Sequence, residues 1–138
     1  MGGSPYAYAE LLARLWAEGD GFVVVEHDIE IHGDVLPGFA ACGEPWCVFP
    51  YPGPGDHAGN RLLDHALGCT RFGASLLKAE PGVPPGPGSH WGSLDARLYH
   101  VLVGRGYRPH VHLPPVVHHH ERDGRCDCGQ RAHREEPT

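Results

Sequence analysis

Gly21-Phe22-Val23-Val24-Val25-Glu26-His27-Asp28-Ile29-Glu30-Ile31 is the stretch on which the fold turns. Residues 22–25 are continuously apolar and mostly β-branched, as in a strand covered on both faces. Glu26, His27, Asp28 and Glu30 then arrive abruptly. The pattern predicts one strand over residues 22–31, broken by Gly33 and Asp34. Strand side chains alternate, so Glu26 and Asp28 are expected on one side and His27 on the other. A buried strand that turns acidic at its C-terminal end is where open α/β sheets place ligands. Two carboxylates held side by side repel unless a cation lies between them. Hard ions such as Mg²⁺ or Mn²⁺ take such oxygen ligands and keep positions open for substrate phosphates. The plain alternative is a strand emerging into water with solvated acids, and the motif alone favours neither reading.

Upstream, residues 5–18 read as a helix. Ser4 can cap it, Pro5 suits its first position, and Gly19 is placed to end it. Leu11, Leu12, Leu15 and Trp16 recur at helical spacing. Downstream, residues 35–41 suggest one or two helical turns and residues 46–51 a second strand. Residues 52–59 read as a loop, 61–66 as a helical turn, 67–70 as a third strand and 71–79 as a helix. The proline-glycine run at 81–88 predicts a mobile loop. Ser93 can cap a helix over 94–103, and 107–113 reads as a strand with Val111 inside and His110 and His112 on its other face. This order predicts an α/β fold: a small mixed sheet flanked by helices, one domain over residues 1–120. Residues 121–138 are charged and nearly free of apolar side chains, the composition of a disordered tail.

Composition narrows the function. A chain of 138 residues with 41% apolar content is long enough for one buried core. A net charge of −6 and the lack of a basic run before the tail argue against a protein held mainly by nucleic-acid phosphates. No basic leader and no long apolar run is visible, so neither a signal peptide nor a membrane span is expected, and the expected location is cytoplasmic. Five cysteines without a secreted framework fit reduced thiols.

Twelve histidines are many, and six lie between His100 and His120. Imidazole suits Mn²⁺, Zn²⁺ or Fe²⁺. His118, His119 and His120 follow a diproline, and one of them is expected to complete a metal site with the acid pair; His118 and His120 are the candidates. Asp95 sits in the first turn of its expected helix, where complementing the helix dipole is sufficient reason for an acid; a general base is the functional alternative. Cys126-Asp127-Cys128 with His133 matches no common zinc spacing. Cys42, Cys47 and Cys69 have apolar surroundings typical of inert core thiols.

Together, the residue 21–30 stretch, its preceding amphipathic helix and the late Val117-His118-His119-His120 resemble the metal-binding half of glycosyltransferases with the GT-A fold. Glu26-His27-Asp28 matches a Glu-x-Asp variant of their Asp-x-Asp motif. Leu67-Gly68-Cys69-Thr70-Arg71-Phe72 and the helix after it look like the strand-helix element beside the acceptor site. The resemblance implies a truncated GT-A-like, Rossmann-related domain over residues 1–120. It further implies Mn²⁺ or Mg²⁺ at Glu26 and Asp28, a nucleotide-sugar donor, an acceptor of unknown kind, and Asp95 as base in an inverting reaction. The nucleotide-base half that precedes the acidic motif in that family has no counterpart here. A minimal site is then expected, or one completed by a partner subunit, or a lost activity, and an incomplete sheet would gain from homodimer pairing. The rival expectations are a metal-dependent hydrolase and a non-catalytic binding or assembly protein.

Overall fold

Alternation along two central strands divides the core into two. The computed structural model describes residues 7–52, 62–64, 67–83, 91–119, 121–122 and 125–126. The first half runs α1 (Ala7–Glu18), β1 (Phe22–Val25), β2 (Ile29–Glu30), α2 (Val35–Ala41), β3 (Trp46–Val48), β4 (Tyr51–Pro52) and β5 (Leu62–Leu63). The second runs β6 (Cys69–Phe72), α3 (Ala74–Ala79), α4 (Trp91–Gly104), β7 (His110–Val111), β8 (Val117–His118), β9 (Glu121–Arg122) and β10 (Arg125–Cys126).

A four-stranded sheet has the order β1-β6-β3-β7. Its β1–β6 and β6–β3 pairs are antiparallel, and β3–β7 is parallel. Trp46 and Val48 of β3 and Phe72 of β6 face a core shared with Leu12 and Trp16 of α1, Leu76 and Leu77 of α3, and Leu94, Leu98 and Leu102 of α4. Cys47 and Cys69 face the opposite way, into a smaller cluster with Ile29, Val35, Phe39, Phe49, Tyr51 and Val116. The result is mixed α/β, a small mixed sheet with three helices on one face and α2 on the other. No helix among the described residues is long and apolar enough to cross a membrane.

The single strand expected over 22–31 is two. β1 stops at Val25, the Glu26 N–H donates to the Gly68 carbonyl at 2.9 Å, and residues 26–29 turn, closed by Ile29 N–H to Glu26 O at 3.0 Å. The chain leaves the sheet edge there because the acids gain nothing from a buried ladder. β2 then pairs with β8 in a separate ribbon. Nor is β1 covered on both faces. It is an edge strand with Val23 and Val25 about two-fifths exposed.

Other boundaries move for local reasons. α4 begins at Trp91, so Ser93 lies inside it rather than capping it, and Asp95 is beyond its first turn. The dipole explanation for Asp95 therefore lapses. Leu62 and Leu63 form β5 against Tyr51 and Pro52 instead of a helical turn. The strand at 67–70 shifts to β6 and absorbs Arg71 and Phe72, because Phe72 fills the core beneath β1 and β3. The strand at 107–113 shrinks to β7, and its inside-outside assignment reverses. Val111 is 42% exposed, while the His112 ring stacks on Phe49 at 5.0 Å and meets Phe39 edge-on.

β9 and β10 pair antiparallel within the expected tail. Ser4, Pro5, most of the 52–59 loop and residues 84–90 lie outside the described residues. Val83, at the near end of the expected mobile loop, is buried in the larger core.

Phe72 has no exposed surface and touches the rings of Trp16, Phe22 and Trp46. Phe72→Ala is expected to lower unfolding free energy by about 3–5 kcal/mol, read by urea titration with tryptophan fluorescence. A loss below about 1 kcal/mol would show that this ring does not hold α1 to the sheet.

Candidate functional site

The β2–β8 ribbon assembles the site. Its register sets Ile29 opposite His118 and Glu30 opposite Val117. The ribbon is extended by the His119 N–H, which donates to the Asp28 carbonyl at 2.8 Å. The His118 Nε2 thereby lies 3.0 Å from Asp28 Oδ2, both side chains being largely sheltered. His119 projects the other way and pairs with exposed Glu30 at 2.8 Å. His120, the other proposed ligand, lies outside the described residues.

Two tyrosines form the floor. The Tyr51 ring lies 5.0 Å from the His118 ring, and its hydroxyl accepts the Gly68 N–H at 3.1 Å. Gly68 is required for that approach, since a Cβ there would strike the Tyr51 ring. Burial raises the Tyr51 phenol, and the charges of Glu26, Asp95 and Asp28 raise it further. Burial raises Tyr8 as well, followed by Glu26 and, more weakly, Tyr51 and Asp95. Both phenols therefore remain protonated at neutral pH.

Glu26 is also raised from its ordinary value, first by burial. The neighbouring Tyr8 opposes the rise, Asp28 and Asp95 add to it, and His118 again opposes it. The turn at 26–29 thus brings Glu26, Asp28, Asp95 and His118 into one electrostatic neighbourhood although Glu26 and Asp28 do not share a strand. Asp28 Oδ1 is buried and accepts no hydrogen bond among the described residues. One Asp28 oxygen is thus on an imidazole and the other is left for a further donor or a cation.

A second group lies in the smaller core. Among the described residues, Cys42, Cys47 and His112 are the one set of three whose ligand atoms all fall within 4.8 Å of one another. The Glu26, Asp28 and His118 set does not reach that spacing. Cys42 caps the C-terminal end of α2, Cys47 is central in β3, and His112 follows β7, where its N–H donates to Val48 O at 2.9 Å. Burial, then the contact with Cys42, pushes the Cys47 thiol up to about 12, against the pull of Arg71. Burial, with His110 beside it, holds His112 below its ordinary value and keeps it neutral.

Comparison of the chain with protein-family models, with curated proteins and with solved structures returns no match. The site is therefore defined by its own geometry. Sequence reasoning missed Tyr8, Tyr51 and the Cys42, Cys47 and His112 group. The one available signal was Tyr51 set between prolines directly after an apolar strand.

The raised Glu26 has a consequence for stability. Below the ordinary carboxylate value, folded and unfolded chains both keep the proton and the group contributes nothing. As pH rises past it, the unfolded chain releases its proton first, and stability falls until the raised native value is passed. Glu26→Gln in chelator-treated buffer is expected to raise the urea midpoint at pH 7 and leave it unchanged near pH 4. An unchanged midpoint at pH 7 would contradict the buried setting of this carboxyl.

Proposed function

We propose that the chain is a metal-dependent, glycosyltransferase-like enzyme that moves a sugar from a nucleotide-sugar donor to an acceptor hydroxyl. The observation that carries the reading is the Asp28–His118 contact, with an unused Asp28 oxygen, inside a cluster where Glu26, Asp28 and Asp95 all act on one buried phenol. Three carboxylates around a sheltered floor leave an excess of negative charge that a divalent cation offsets. The Glu26-His27-Asp28 likeness to the GT-A metal motif supplies the reaction class.

Asp28 and His118 would hold Mn²⁺ or Mg²⁺, which stabilises charge developing on the leaving nucleoside diphosphate. Glu26 lies near Tyr8 of α1 and adds its charge to the same neighbourhood. Asp95, on α4, acts electrostatically on Glu26, Tyr8 and Tyr51 of the same neighbourhood. In an inverting transfer it accepts the proton of the acceptor hydroxyl. Tyr51 packs against His118 and limits the orientations of its imidazole, as outer partners of metal ligands commonly do.

Calorimetry with uridine and guanosine diphosphate sugars, with and without Mn²⁺, tests the reading. Sugar-nucleotide binding is expected only with metal, and Asp28→Ala is expected to weaken it by about 10–100-fold. His118→Ala is expected to have the same sign. Metal binding without nucleotide affinity would favour a metal-dependent hydrolase, and binding of neither would favour an assembly role.

A further inference from the structure

We infer that Cys42, Cys47 and His112 form a second metal site, separate from the acidic one, that takes a borderline or soft cation of the Zn²⁺ class. Two thiols and an imidazole are the donor set such ions select, whereas Mg²⁺ and Mn²⁺ prefer carboxylate and water. The Cys42 and Cys47 sulfurs face each other at 2.7 Å and would have to open to about 3.7 Å to share one tetrahedral ion, and the His112 ligand nitrogen is within 4.8 Å of both. His112 Nε2 is buried and has no hydrogen-bond partner among the described residues. Leaving a polar nitrogen unpaired in a cluster built on Phe39 and Phe49 is costly, and a bound cation removes that cost.

Cys69 shows what an inert thiol looks like in the same core. It shares the apolar cluster, donates no ligand to a group of three, and burial pushes it up to about 11. Cys42 and Cys47 differ in facing each other and an imidazole. Arg71 Nη1 donates to the Glu44 carbonyl at 3.0 Å and lies 3.6 Å from the Cys47 sulfur, so a positive group already stands beside the thiol. On binding, each thiol gives its proton to solvent and the thiolate coordinates the ion. Three protein ligands would leave a fourth position for water or another donor; the exposed His110 ring lies 4.7 Å from that of His112.

The location assigns a role. Cys42 ends α2, Cys47 belongs to β3 and His112 follows β7, so one ion ties α2 to the two strands beneath it. The chain that leaves β3 then carries Phe49, and in β4 Tyr51, toward the acidic site. The ion is structural, not a reactant.

Cobalt titration of the reduced full-length chain tests the site. A thiolate-to-cobalt absorption band saturating at one equivalent is expected, lost in Cys47→Ser and in His112→Ala. The band is expected to persist in the Cys126→Ser/Cys128→Ser double variant and in Asp28→Ala, which separates it from the C-terminal cysteines and from the acidic site. No band, a band that survives Cys47→Ser, or a band lost only with Cys126 and Cys128 would overturn the proposal. Alkylation of the unsubstituted chain covers the case of variants that misfold. Zn²⁺ is expected to protect Cys42 and Cys47 from labelling, and equal labelling with and without Zn²⁺ would overturn it.

Discussion

Everything at the acidic site depends on the register of one short ribbon. Ile29 opposite His118 turns that imidazole inward to Asp28 and sends the next one outward to Glu30. A slip of one residue would exchange the two histidines, because side chains alternate with a period of two. Register is held from both sides: Ile29 and Val116 are anchored in the smaller core, and the Val116 N–H donates to Pro50 O at 3.0 Å. Which of three consecutive histidines meets the carboxylate is thus decided by apolar burial several residues away.

The sheet gives this small chain two chemically distinct faces. One is a dry helical core of leucines and aromatic rings against α1, α3 and α4. The other is thinner and mixes aromatic rings with thiols and an imidazole beneath α2. Carboxylates are excluded from both: Glu26 and Asp28 lie in the turn after β1 and Asp95 in the second turn of α4, where all three retain partial access to water. That placement limits the desolvation cost of three like charges, and partial burial still raises Glu26.

Much of the fold was legible because its signals are local. α1 announced itself by the spacing of Leu12 and Trp16 and by Gly19, whose φ of 74° suits the residue that ends a helix. β3, α2 and α3 were likewise visible as short apolar runs. The break after Val25 was not, because a Glu-x-Asp pair puts two acids together in a strand and can do so in a turn. The facing of β7 failed for another reason. A two-residue strand has no period to read, and His112 is inside because Phe49 offers it a ring to stack on. Tyr8 and Tyr51 gain their importance only from tertiary burial. Cys42 and Cys47 are close in sequence, but their third partner arrives from a distant strand, so no spacing could have flagged it.

The central claim is that Asp28 and His118 share a cation. Paramagnetic broadening by substoichiometric Mn²⁺ in the nitrogen-15 spectrum of the full chain tests it directly. Signals of Asp28, Ile29, Val117 and the His118 imidazole are expected to vanish first, while those of Cys47 and His112 persist. Broadening centred on the C-terminal residues, or none at Asp28 and His118 at equimolar metal, would contradict the account.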